Sequence, residues 1–135
     1  HTLKDIEVSF NTYSSNIYDI EQEQLDKLLK AGLAIAHFMN SAKSKIPEAQ
    51  YMLIIEGQSS KDYYTRNYEL SYERALALIK FWSSNGIEFD SLGNCEVLIS
   101  GSGQSSKFRV QPDVRGNKDN QRFVIHIIPK PGIIE

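Results

Sequence analysis

Asn67-Tyr68-Glu69-Leu70-Ser71-Tyr72-Glu73-Arg74-Ala75 opens a helix with a polar cap, and its spacing places Asn67, Ser71 and Arg74 near one exposed end. A guanidinium at a helix mouth suits an anionic or zwitterionic ligand. Downstream, Leu70, Ala75, Leu78, Ile79 and Trp82 recur as an inward stripe, and Asn85-Gly86 supplies the residues that tolerate a left-handed helix stop. Upstream, the polar loop from Gln58 to Arg66 follows Tyr51-Met52-Leu53-Ile54-Ile55, a run that is apolar on both faces and bounded by Gly57. Such a run predicts a central, covered strand.

Two further strands are legible toward the C-terminus. Val97-Leu98-Ile99 runs into Gly101-Ser102-Gly103, and Phe123-Val124-Ile125-His126-Ile127-Ile128 stops at Pro129. Toward the N-terminus, Ile6, Val8 and Phe10 alternate within a strand from Asp5 to Phe10, followed by a polar loop to Asn16. Asp19 and Gln22 have capping-box spacing. Leu25, Leu28, Leu29, Leu33, Ala36 and Met39 then recur at helical intervals, so the first helix ends near Asn40 or shortly after, and Ser41 to Gln50 is a connection. The order is β-α-β-α-β-β, an α+β chain with one mixed sheet and helices packed on it.

Composition narrows the function classes. With 135 residues, 41% hydrophobic and 24% charged, the chain is long enough for one core and short for two, so residues 1–135 read as one domain. A formal net charge of −2 argues against nucleic acid as a partner, because phosphate binding rests on a basic surplus. No run approaches the roughly 20 apolar residues that cross a bilayer. The chain starts at His1 without a basic-then-apolar leader, so it reads as a fragment of a larger protein, meeting a membrane only through a missing anchor segment.

Catalytic and metal signals are sparse. Cys95 is the only cysteine, which excludes an intrachain disulfide and a cysteine zinc cage. It reads as a small half-buried residue beside a strand. His1, His37 and His126 form no metal-ligand spacing, Ser59-Ser60 lacks a nucleophile elbow, and no phosphate-binding glycine loop or other cofactor motif is present. The expectation is a protein that is not an enzyme, with no catalytic residue, metal or cofactor.

Four marks in order resemble the OmpA-like (OmpA/MotB C-terminal) domain family. Its strand followed by G-H-T-D is similar to Ile54-Ile55-Glu56-Gly57-Gln58-Ser59-Ser60, and its N-x-x-L-S-x-x-R-A is complete at Asn67, Leu70, Ser71, Arg74 and Ala75. Its G-x-G matches Gly101-Ser102-Gly103, and its closing N-R-R-V resembles Asn120-Gln121-Arg122-Phe123. The resemblance implies a peptidoglycan-binding module of the bacterial periplasm or cell envelope, tethered to the outer or inner membrane. MotB-like members of the family anchor ion-driven stators to the wall.

In the family, an Asp in the loop and the Arg of the helix clamp the free amino-acid end of diaminopimelate in a stem peptide. Arg74 matches that Arg, but Ser60 stands where the family has Asp. Asp62 could supply the missing charge if the loop alignment slips, which requires it to face Arg74. The implied ligand-binding set is Ser59, Ser60, Asp62, Asn67, Arg74 and Arg122, and the alternative is a protein-interaction module that has lost diaminopimelate binding.

Each residue also has a structural explanation. Gly57 permits a turn, Asn67 and Ser71 cap amides, and Arg74 forms a surface ion pair with Glu73, Asp62 or Glu69. Tyr63, Tyr64 and Tyr68 are either a sugar-binding cluster or, for at least one, a hydrophobic plug. The basic loop from Ser102 to Arg122 is either a contact for anionic polymer or solvated charge.

Overall fold

The computed structural model describes residues 2–7, 14–58, 67–103 and 122–130. Along the chain run β1 (Thr2–Glu7), α1 (Gln22–Lys45), β2 (Tyr51–Gln58), α2 (Asn67–Ser84), β3 (Cys95–Gly103) and β4 (Arg122–Pro129). This is the β-α-β-α-β-β order read from the sequence. The four strands form one sheet in the order β1-β4-β2-β3. β2 is parallel to β3 and antiparallel to β4, which is antiparallel to β1, so the sheet is mixed. A parallel pair needs a crossover, and α2 is the crossover between β2 and β3.

Alternation along the strands separates the sheet faces. Leu53, Ile55, Phe123, Ile125 and Ile127 are buried and join Leu28, Ile35, Met39, Leu78 and Trp82 in one hydrophobic cluster. Met52, Ile54 and Ile128 lie on the other face, half-buried, beside Leu98, which is exposed. β2 is therefore central, as expected, but the described helices cover only one of its faces. An apolar run alone could not show this, since a half-covered strand of Met and Ile looks like a doubly covered one.

Several boundaries differ from the sequence reading. β1 spans Thr2–Glu7 rather than starting at Asp5, and Val8 to Phe10 lie outside the described residues. Asp19 does not cap α1. It ends a 3-10 turn, Ile17–Asp19, and α1 starts at Gln22 behind Glu21, which makes no side-chain cap bond. α1 runs on to Lys45, one turn beyond the expected end, and Ile46 before Pro47 leaves the helical region at φ −136° and ψ 83°. Its buried line is Leu25, Leu28, Ala31, Gly32, Ile35 and Met39, whereas Leu33 is 53% exposed.

Glycine governs how closely the layers approach. Gly57 and Gly101 face each other across the β2–β3 ladder. A Cβ on Gly57 would overlap the Ser71 carbonyl oxygen, and one on Gly101 would lie 2.5 Å from the Tyr72 amide nitrogen and 2.8 Å from the Tyr68 carbonyl oxygen. The first turns of α2 thus rest backbone to backbone on two adjacent strands. Gly57 was expected to permit a turn; it permits this contact instead, because its φ is not positive while its Cβ space is filled.

The opposite end of α2 fixes α1. The Trp82 indole Nε1–H donates to the Leu28 carbonyl at 2.8 Å, and the ring occupies the space that a side chain at Gly32 would need. Phe89 meets the same indole edge-on, with centroids 5.3 Å apart. Gly86, at φ 83°, ends the connection after α2 in the left-handed region, as Asn85-Gly86 foretold.

Gly57→Ala and Gly101→Ala are each expected to destabilise the fold by about 3 kcal/mol, because backbone cannot move aside for the new methyl. Gly86→Ala, with open space around it, loses only about 1 kcal/mol to backbone strain. Guanidinium denaturation checks this ranking, and wild-type midpoints for Gly57→Ala and Gly101→Ala would disprove the seat.

Candidate functional site

The seat on Gly57 and Gly101 places the N-terminal turns of α2 beside the C-terminal ends of the parallel pair β2 and β3. That geometry turns Leu70, Ser71, Arg74, Ala75 and Leu78 inward and leaves Tyr68, Glu69, Tyr72 and Glu73 exposed. Ser71 is fully buried, and its hydroxyl donates to the Tyr68 carbonyl at 2.9 Å. The expectation that Ser71 and Arg74 mark an exposed helix end is overturned, because close seating carries both beneath the surface.

Arg74 is 3% exposed. Its Nε–H donates to the Ser14 carbonyl oxygen at 2.9 Å, and the residue has an interaction besides that one. A buried guanidinium demands partners, since burial of an uncompensated charge is costly. Its burial takes it off the surface where the ion pair offered as its structural explanation was expected. Arg carries five N–H donors in a planar fork, and the two Nη groups form an edge that matches a carboxylate.

Ser14 belongs to a short strap, residues 14–16, that crosses this part of α2. The Ser14 hydroxyl donates to Asp19 Oδ2 at 2.8 Å and accepts from the Asn16 amide at 3.1 Å. Asn16 caps the 3-10 turn by accepting from the Tyr18 amide at 3.1 Å. The Ser15 hydroxyl donates to Glu73 Oε2 at 3.4 Å, so the strap touches two successive residues of α2. Ile17 and Ile20 anchor its far side in the core.

Gln58, at the end of β2, is 1% exposed and its Nε2 donates to Glu56 Oε2 at 2.7 Å. The β2–β3 register shifts between Gly57 and Gln58. Neither Gln58 nor Ser14 was singled out as a site residue. Asn16 before Tyr18 is a readable local cap, but the contact of Ser14 with Arg74 spans sixty positions and has no sequence signal.

Of the residues read from the sequence, Arg74 has its side chain described. Ser59, Ser60 and Asp62 lie outside the described residues, as do Tyr63, Tyr64 and most of the basic loop from Ser102 to Arg122. Asn67 begins α2 and Arg122 begins β4, with their backbones alone described. Tyr68 is 53% exposed. His37 is exposed on α1 and His126 is half-buried on β4. Among the described residues no group of His, Cys, Asp and Glu could hold a metal ion, and no helix is long and apolar enough to cross a membrane.

Cys95 starts β3 at the end away from Gly101, half-buried as expected. Burial, with a smaller contribution from the Asp90 carboxylate, pushes its thiol from 9.0 up to about 11. The neutral thiol is favoured in the fold, so any stability this adds is complete below pH 9.0 and is lost as pH rises through about 11. Alkylation by iodoacetamide is expected to be slow at pH 8 and to speed up only when the protein is unfolded or the pH approaches 11. Equal rates for folded and unfolded protein at pH 8 would contradict this.

Arg74→Met is expected to cost about 1–3 kcal/mol, because the Ser14 carbonyl loses its donor in a part-buried setting. Urea denaturation measures it, and an unchanged midpoint would mean that the guanidinium contributes nothing to holding the strap.

No family model and no curated protein matches the sequence. Solved structures do. The periplasmic domain of Helicobacter pylori MotB superposes with a TM-score of 0.65 at 15% identity, covering 95% of this chain and 82% of that one. The OmpA-like domain of FopA1 from Francisella tularensis gives 0.57 at 14% identity, covering 94% and 71%. The peptidoglycan-associated lipoprotein from Burkholderia pseudomallei gives 0.50 at 13% identity, covering 95% and 91%. Such identities carry fold alone, and the superpositions show that this chain has the OmpA-like fold of the MotB C-terminal domain.

Proposed function

We propose that residues 1–135 act as a non-catalytic, cell-wall-binding module of a periplasmic or envelope protein, gripping the stem peptide of peptidoglycan. Arg74 meets a carboxylate of the peptide, with Ser59, Ser60, Asp62, Asn67 and Arg122 around it. The observation that carries this reading is the burial of Arg74, 3% exposed, beside the ends of β2 and β3 on an OmpA-like fold. Its neighbours add support: one is a periplasmic domain, and another is by name peptidoglycan-associated.

The chemistry is coherent. A guanidinium fork recognises a carboxylate bidentately, and the nearby start of α2 adds the positive end of a helix dipole. The free end of diaminopimelate is a zwitterion, however, and its ammonium needs an anion. Ser60 is neutral where the family has Asp. That substitution favours a second reading, a protein-interaction scaffold that has given up the wall, unless Asp62 faces the guanidinium.

Co-sedimentation with purified diaminopimelate-type sacculi separates the two. Saturable binding by the wild type, reduced at least about tenfold in Arg74→Ala as for loss of a charge-assisted bidentate contact, is the expected result. Absence of wild-type binding, with binding gained by Ser60→Asp, would instead establish the scaffold reading. Asp62→Asn tests the rescue: undiminished binding would remove Asp62 from the site.

A further inference from the structure

We propose that Asp19 is a positioning residue for Arg74, setting through Ser14 the direction in which the guanidinium meets a ligand carboxylate. The inference rests on the binding role proposed for Arg74 and adds a residue that the family resemblance does not assign.

The path is continuous. The Asp19 carboxylate accepts the Ser14 hydroxyl at 2.8 Å, and that hydroxyl accepts the Asn16 amide at 3.1 Å, which holds Ser14 from both sides. The Ser14 carbonyl, so oriented, takes the Nε–H of Arg74 at 2.9 Å. Ile17 and Ile20, 6% and 4% exposed, anchor the strap in the core, so its carbonyl is not free to follow the side chain.

A guanidinium offers a carboxylate two bidentate edges, one using Nε with an Nη and the other using both Nη groups. With Nε given to Ser14, the edge that uses Nε is engaged, and the plane of the fork is tied to the Ser14 carbonyl. Bidentate contacts depend on this plane, so a loosened strap weakens carboxylate binding while leaving the guanidinium in place.

Asp19 is itself exposed, as is Asn16, so its truncation leaves the core untouched. This separates positioning from folding.

The test compares wild type with Ser14→Ala, Asp19→Ala, Asp19→Asn and the Ser14→Ala/Asp19→Ala double variant. Proton–nitrogen NMR reads exchange of the Arg74 Nε–H, and titration with soluble diaminopimelate-type muropeptides reads affinity, with thermal midpoints confirming the fold. The Nε–H is expected to exchange slowly in wild type, faster in Asp19→Ala and Ser14→Ala, and slowly again in Asp19→Asn, whose amide oxygen still accepts the hydroxyl. Affinity should fall about fivefold in each alanine variant, the scale of one hydrogen bond, with no further loss in the double variant.

Wild-type exchange and affinity in Asp19→Ala would overturn the inference, as would an equal loss in Asp19→Asn, which would assign the effect to charge. If the wild type binds no muropeptide, the wall-binding reading fails separately, and the Nε–H exchange alone decides whether Asp19 orders Arg74.

Discussion

Everything in this molecule depends on how closely α2 lies against the sheet. Gly57 and Gly101, paired across β2 and β3, remove the Cβ atoms that would hold the helix away, and the backbone from Tyr68 to Tyr72 comes to rest on them. With the helix this deep, Ser71 and Arg74 pass beneath the surface, and Trp82, two turns beyond Arg74, reaches the Leu28 carbonyl and closes α1 over the core. One pair of glycines sets both the layer spacing and the depth of the candidate site.

Depth changes the chemistry of Arg74. On a surface, its charge would be screened by water and its pairings worth little. Buried, the same guanidinium must be matched, and the Ser14 carbonyl is a partner brought from before α1. The strap and the 3-10 turn that follows it thus brace a guanidinium that belongs to the second helix. A polar group kept this deep at the end of a parallel strand pair is a poor choice for stability alone, which is why its burial bears on function.

The fold was largely legible before the structure, for reasons that differ by element. The stripe Leu70, Ala75, Leu78 and Trp82 marks the buried face of α2 because a helix repeats every 3.6 residues, and Ile79 at its flank is only half-buried. Gly86 was readable as a stop because a left-handed backbone favours glycine. The Asp19–Gln22 spacing misled, because a 3-10 turn between them uses Asp19 to hold Ser14 instead. Leu33 misled too: it keeps the helical interval with Leu29 and Ala36, yet the line that meets the sheet runs through Ala31, Gly32 and Ile35.

By itself, then, the sequence determined the order of strands and helices, the mixed sheet, the helix that carries Arg74 and the neutral Ser60 in the loop before it. These are local matters of periodicity, turn chemistry and residue identity, written in neighbouring residues. Only the tertiary structure decided that Gly57 serves as a seat rather than a turn, that β2 is helix-covered on one face, and that Arg74 is buried and held by Ser14. Each of those depends on what a distant segment places against a residue, and contact across the core leaves no period along the chain.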